Sequence, residues 1–272
     1  MIFPLTVLRR LDCVLEPTKR TVLDYLHQAK GLSPEASETV LKKKAKLSFF
    51  NKSKYDFQKL IADPSDIAAN LRNYITGFSK NARSILEHFN FEGHIERLDK
   101  ANLLFLVVKR FAEVDLHPEV VPNIEMGYIF EELIRKFADL SNETAGEHFT
   151  PREVIRLMVN ILFLNDKEIL TRKGIVKTLY DPACGTGGML SVAEEYLREL
   201  NPDADLRVFG QELNPESYAI CNSDMLIKAQ NTDHIKFGNS FTQDGLKDEK
   251  FDYMLSNPPF GVEWKKIEDE IR

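Results

Sequence analysis

Thr178-Leu179-Tyr180-Asp181-Pro182-Ala183-Cys184-Gly185-Thr186-Gly187-Gly188-Met189-Leu190 decides the fold. An apolar run ends in an acid, a glycine-rich turn follows, and a helical pattern continues through Glu194, Leu197 and Leu200. Strand, tight loop and helix in that order are how an α/β sheet binds a nucleotide-like ligand at the carboxyl ends of its strands. Glycines there let the backbone approach a ligand without a Cβ in the way. A tight strand–helix turn without a ligand would account for the loop taken alone.

The dinucleotide fingerprint G-x-G-x-x-G is only half met, because Gly185 and Gly187 supply two glycines and Leu190 stands at the third place. Asp181, just ahead of the turn, would repel a pyrophosphate and attract the ammonium of a methionine moiety. The loop therefore points to S-adenosylmethionine before NAD.

Outward from this stretch the chain has two halves. Downstream, strands and helices alternate. Leu206–Phe209 is a short β-rich run ending at Gly210-Gln211-Glu212, and Asn214-Pro215-Glu216 opens a helix. Residues 234–237 form a third strand candidate ending at Gly238-Asn239. Residues 251–255 form a fourth, ending at Ser256-Asn257-Pro258-Pro259-Phe260. Such alternation implies right-handed crossovers and a mostly parallel sheet. Asp181, Glu212, Asn239 and Asn257 then fall at strand ends, one per strand.

Upstream, residues 1 to about 140 read as nearly all helix. Leu8, Leu11 and Leu15 recur at helical spacing, and Pro17 is expected to end that helix. Ser33-Pro34-Glu35 reads as an N-cap with proline at the first helical position. The helix it opens ends in Lys42, Lys43, Lys44 and Lys46, either a solvated helix C-terminus or a contact for DNA or a partner. Asn123–Leu140 is a long amphipathic helix. Thr150-Pro151-Arg152-Glu153 reads as a capping box, whose exposed amides are a candidate seat for a ligand carboxylate.

Composition bounds the function. With 272 residues, 43% apolar and 29% charged, the chain has material for one large or two ordinary cores. A net charge of −6 means that any phosphate contacts must be local or come from a partner. Cys13, Cys184 and Cys221 form no C-x-x-C pair, and no metal site is expected. No apolar run is long enough to span a bilayer, so no membrane partner is expected and a soluble cytoplasmic protein is the default.

Asn257-Pro258-Pro259-Phe260 carries the most specific chemistry. Two prolines stiffen the chain and remove two amide donors, leaving the Asn257 side-chain oxygen and the Pro258 carbonyl as acceptors. An exocyclic amino group on a base is a poor nucleophile, because its lone pair is delocalised into the ring. Two acceptors aligned on its N–H bonds pull it toward pyramidal geometry, and Phe260 can stack on the extracted base. A carboxylate at Glu212 can accept from both hydroxyls of a ribose, or simply cap the helix opening at Asn214.

Asp181 to Gly188, Asn257 to Phe260 and Gly146 to Arg152 resemble the motifs of adenine-N6 DNA methyltransferases, most closely the modification subunit of type I restriction–modification systems. Phe3-Pro4-Leu5-Thr6-Val7-Leu8-Arg9-Arg10-Leu11-Asp12 resembles that subunit's helical N-terminal domain. The resemblance implies a helical domain over residues 1–143. Over 144–272 it implies a Rossmann-like α/β domain dependent on S-adenosylmethionine, incomplete at its C-terminus. It implies cofactor contacts from Glu147, His148, Phe149, Thr150, Pro151 and Arg152, from Asp181, Ala183, Gly185, Thr186 and Gly187, and from Glu212. Asn257, Pro258, Pro259 and Phe260 would hold a flipped adenine. Cys184 resembles a loop residue, unlike the thiol nucleophile of cytosine-C5 enzymes.

Implied partners are DNA, a specificity subunit, a second modification subunit and a restriction subunit. Asn239 stands where many methyltransferases have an aspartate facing the cofactor adenine, and its amide oxygen is expected to retain a weaker contact. The family's sheet and helical tail extend further, so a truncated product or trimmed chain, inactive by itself, is expected. Other readings are a glutamine or RNA-guanine methyltransferase with an N-P-P-[FY] motif, a non-catalytic cofactor-binding assembly module, and last a nicotinamide dehydrogenase.

Overall fold

A computed structural model describes residues 1–26, 31–141 and 150–259. The expected boundary at 143/144 lies outside the described residues. By packing, the described residues of Met1–Met126 together with Asn222–Asn231 form one compact unit. The described residues of Gly127–Cys221 and those from Thr232 onward form the other.

The first unit is helical. It contains α1 (Ile2–Leu26), α2 (Pro34–Ala45), α3 (Phe57–Ile61), α4 (Ile67–Thr76), α5 (Lys80–Glu87), α6 (Phe91–Lys100) and α7 (Leu104–Ala112). Pro17 does not end the first helix; α1 runs straight through it. The proline costs one backbone bond, but Leu5, Leu8, Leu11 and Leu15 before it and Val22 after it are all buried. Burying five such side chains outweighs a single lost bond. Ser33 caps α2 as expected, its hydroxyl accepting the Ala36 N–H, with Pro34 first in the helix.

Two charged side chains, Arg10 buried and Asp12 partly so, lock α1 to the rest of its unit. Arg10, fully buried, donates to the carbonyls of Leu116 and Val121 and to Asn123 Oδ1. Asp12 accepts from the Tyr74 hydroxyl at 2.7 Å and pairs with Arg9 at 2.9 Å.

The second unit contains most of α8 (Asn123–Ser141), then α9 (Arg152–Leu164), α10 (Lys167–Leu170), β1 (Val176–Asp181), α11 (Gly188–Leu200) and β2 (Asp205–Glu212). α12 (Pro215–Ile227), whose second half belongs to the first unit, carries the chain on to β3 (Ile235–Phe237) and β4 (Tyr253–Met254). The four strands are parallel in the order β3-β2-β1-β4. The fold class expected from the alternation is therefore present. The order reverses between β1 and β4, and such a switch point opens a crevice at the carboxyl ends of the strands.

β4 is only two residues long, shorter than the run Phe251–Leu255 suggested. Its register is set at both ends by β1. Asp252 accepts from the Thr178 N–H and hydroxyl, each at 2.9 Å, and from Lys177 Nζ at 2.7 Å. Leu255 N–H donates to the Tyr180 carbonyl at 3.0 Å. On one side α9 packs on α11, and the Phe163 ring meets the Tyr253 ring edge-on at 4.9 Å.

Candidate active site

Asp181 is the last residue of β1 and Glu212 the last of β2, while Asn239 and Asn257 follow β3 and β4 closely. All four lie at the carboxyl edge of the sheet. Asp181 is 1% exposed. Burial, with a smaller push from the Glu212 charge, raises its pKa to about 7, against the Ala183 N–H bonded to it at 3.0 Å. The buried Ser256 hydroxyl beside it also favours the ionised form, though it completes no well-aligned hydrogen bond. Asp181 is thus a carboxyl kept out of water with no cation of the described residues bonded to it, and a cationic ligand group would stabilise its charge.

The loop after β1 is stapled from beneath. Ala183, Cys184, Gly185 and Gly187 donate their N–H groups to Asp181, the Gln211 carbonyl, Glu212 Oε2 and the Cys184 carbonyl respectively. These four amides are engaged within the protein and cannot cradle a phosphate. Gly185 and Gly187 both take positive φ, +55° and +85°. A Cβ on Gly187 would lie 2.8 Å from Cys221 Sγ, so the turn needs glycine for space as well as for conformation. Cys184 is buried beneath the loop, and the neighbouring Cys221 thiol and burial push its own thiol well above the ordinary range. A thiolate nucleophile is not available from it.

Glu212 has both roles the sequence left open within reach. Oε2 accepts from Gly185 at 2.8 Å and Oε1 from Asn214 at 2.6 Å. It ties the loop to the start of α12, and each oxygen keeps a second lone pair for a ligand hydroxyl. Asn239 Oδ1 accepts from Phe241 N–H at 2.9 Å, so its oxygen already closes an Asx turn.

The segment before α9 departs from expectation. No capping box forms. Pro151 occupies the N-cap position without a side-chain cap, and α9 starts at Arg152. The Thr150 hydroxyl instead accepts from the Asn257 side-chain amide at 2.8 Å. This bond joins two motifs 107 residues apart. Arg152 donates from Nε to Glu131 at 2.9 Å, lies 3.5 Å from Glu195 and sits 3.7 Å over the Tyr128 ring. Burial opposes its charge, but the bond to Glu131 and the charges of Glu131 and Glu195 more than compensate and raise its pKa. Its guanidinium is bound into α8 and α11, which anchors the start of α9. Thr186, Pro258 and Pro259 lie in the loops at the same sheet edge. Glu147, His148, Phe149 and Phe260 lie outside the described residues.

Three contributors had no signature in the sequence. Gln211, fully buried, donates to the Gln243 carbonyl at 2.8 Å and accepts from Gly245 N–H at 3.1 Å, holding the loop after β3. The Ser240 hydroxyl donates to the Pro182 carbonyl, bracing the first loop against the third. Glu131 becomes visible only once α8 is placed beside Arg152.

The sequence profile of the family described as N-6 DNA methylase matches residues 123–272, more than half of the chain. The chain belongs to that family. In the same chain the profile of the HsdM N-terminal domain matches residues 1–111. Among curated relatives, the type I restriction enzyme MjaIX methylase subunit of Methanocaldococcus jannaschii is 30% identical over 61% of this chain and 28% of that subunit. The EcoEI methylase subunit of Escherichia coli is 27% identical over 72% of this chain and 39% of that subunit. The chain thus spans about a third of the length of these relatives. A crystal structure of a type I restriction–modification methyltransferase subunit from Streptococcus thermophilus matches with TM-score 0.70 and 22% identity. That match covers 98% of this chain and 60% of that one, and it confirms the fold.

Proposed function

We propose that this methylase chain belongs to the modification subunit of a type I restriction–modification system and serves transfer of a methyl group from S-adenosylmethionine to adenine N6 in DNA. The observation that carries the reading is the Asn257–Thr150 bond. Thr150 takes the amide N–H of Asn257, which leaves the carboxamide oxygen fixed in direction and free to accept. Beside it the two prolines offer no N–H. Acceptors without competing donors suit an exocyclic amine, whose two N–H bonds they align while its lone pair turns toward the methyl donor. Phe260 is assigned the face of the extracted base.

The cofactor fits the residues present. Bound there, it supplies a methyl group on a positively charged sulfur. Asp181, raised to about 7 by burial, gains most from a cationic partner. Glu212 offers its free lone pairs to ribose hydroxyls. Ala183, Gly185, Thr186 and Gly187 let the ligand lie close to backbone, Thr150 to Arg152 with Glu147 to Phe149 bound its methionine end, and Asn239 faces its adenine. The loop's engaged amides and its two carboxylates disfavour a pyrophosphate. Along the sequence, residues 1–143 are assigned as the helical domain and 144–272 as the methyltransferase part, although by packing residues 127–141 go with the second unit and Asn222–Asn231 with the first. DNA, a specificity subunit, a second modification subunit and a restriction subunit are the proposed partners, with action in the cytoplasm.

Calorimetric titration with S-adenosylmethionine and with NAD tests the cofactor. Tight binding of the first alone is expected, and tighter binding of NAD would sink the reading. Glu212→Ala should weaken S-adenosylmethionine by about 1–3 kcal/mol, the usual loss when charge-assisted bonds go unmade.

A further inference from the structure

The basic run at the end of α2 plays no part in the site above. Between Thr39 and Tyr55 the chain has six lysines and no acid, within a protein of net charge −6. Lys42 is neutralised by Glu38 at 3.0 Å. Lys43, Lys44, Lys46, Lys52 and Lys54 are exposed. None of these five makes an ion pair with a described residue; Lys44 lies over the Tyr25 ring and Lys54 over Tyr55.

The fold gathers these charges and adds another. After α2 the chain crosses to the start of α5: Phe50 exchanges bonds with Ser79, Lys52 N–H donates to the Gly77 carbonyl, and Asn81 donates to the Ser48 carbonyl. Phe50, Asn51 and Ser53 are buried, so the segment holds Lys52 and Lys54 outward by its own alternation. The same bonds bring in exposed Lys80, the first residue of α5.

Helix stability explains part of this patch and not the rest. Lys43 and Lys44 complement the negative end of α2. Lys46, the C-cap residue, does the same, but Lys52 lies beyond the helix. Lys80 sits at the positive end of α5, where a cation is locally unfavourable. A cost accepted there indicates a partner outside the chain. Flexible ammonium groups spaced along a surface, without a planar fork among them, suit a row of phosphates and carry no base readout.

We propose that Lys43, Lys46, Lys52 and Lys80 form a docking surface for the phosphate backbone of duplex DNA. This inference rests on the reading of the chain as a DNA methyltransferase. It adds where on the helical unit DNA is held, in a protein whose overall charge would repel it.

The test is salt-dependent DNA binding by the complete complex carrying Lys43→Gln, Lys46→Gln, Lys52→Gln and Lys80→Gln together. Wild type and a variant with arginine at the same four positions serve as controls. The glutamine variant should bind target and non-target duplexes alike at least about tenfold more weakly at about 0.15 M salt. Its slope of log affinity against log salt should fall by about 3–4, near 0.9 for each phosphate no longer neutralised. The arginine variant should keep the wild-type slope, and S-adenosylmethionine binding should be unchanged in both. A wild-type slope in the glutamine variant overturns the proposal. So does a smaller complex by light scattering with unaltered DNA binding, which would assign the surface to an acidic protein partner. Methylation at saturating DNA reads the functional assignment separately: a wild type that methylates nothing, yet shows the lysine-dependent slope, would refute that assignment and leave the surface standing.

Discussion

Asp181 ends β1 with its carboxyl out of water, and ligand binding there must move its proton. Its folded pKa of about 7 lies above the ordinary 3.8. The folded state therefore holds this proton more tightly than the unfolded chain. Stability from this group is fully present below the ordinary value and falls as pH rises from about 4 to about 7. Replacing it by asparagine should flatten that part of the pH–stability curve relative to wild type, read as urea midpoints. A cationic ligand acts oppositely, favouring the ionised form. S-adenosylmethionine should bind with proton release at pH 6, and more tightly as pH rises toward 7. Calorimetry in two buffers of different ionisation enthalpy reads this, and proton uptake would contradict it. Asp181 could be singled out from its place after an apolar strand; its shifted proton could not, because that depends first on burial by the tertiary fold, with a smaller push from Glu212 on the next strand.

Loops and helix starts are where local pattern succeeded and failed for separable reasons. The turn after β1 was legible because positive φ and close approach leave only glycine. Gly187→Ala should cost at least about 2 kcal/mol, combining left-handed strain with overpacking against Cys221, and lower the thermal midpoint measurably. Ser33 was legible as a cap because its partner lies three residues away. Thr150 was misread as a cap because its partner, Asn257, comes from a distant strand end. Pro17 was misread as a helix stop because the burial that carries α1 through it is tertiary. Thr150→Val should keep the fold while lowering the methylation rate constant, read at saturating cofactor, about tenfold or more, since it frees the carboxamide of Asn257 to rotate. Equal turnover by this variant in single-turnover assays would show that the bond does not orient Asn257.

The whole molecule divides in a way that no linear boundary describes, because Asn222–Asn231 belongs with the first unit while the residues on either side belong with the second. Composition change near residue 140 marked the passage from helices to alternating strands, but α12 passes from one unit to the other without any shift in pattern. The chemistry proposed for the whole nonetheless turns on one side chain: Asn257 acts on the target amine and not on the cofactor. The decisive assay is transfer of tritiated methyl groups from S-adenosylmethionine to a target duplex by the complete complex, with the methylated nucleoside identified, for wild type and Asn257→Ala. Wild type should yield N6-methyldeoxyadenosine. The variant should lose transfer while keeping cofactor affinity within about threefold of wild type, because the missing acceptor belongs to the chemical step. Undiminished transfer by Asn257→Ala, or a methyl group found on another base or on protein, would contradict this role.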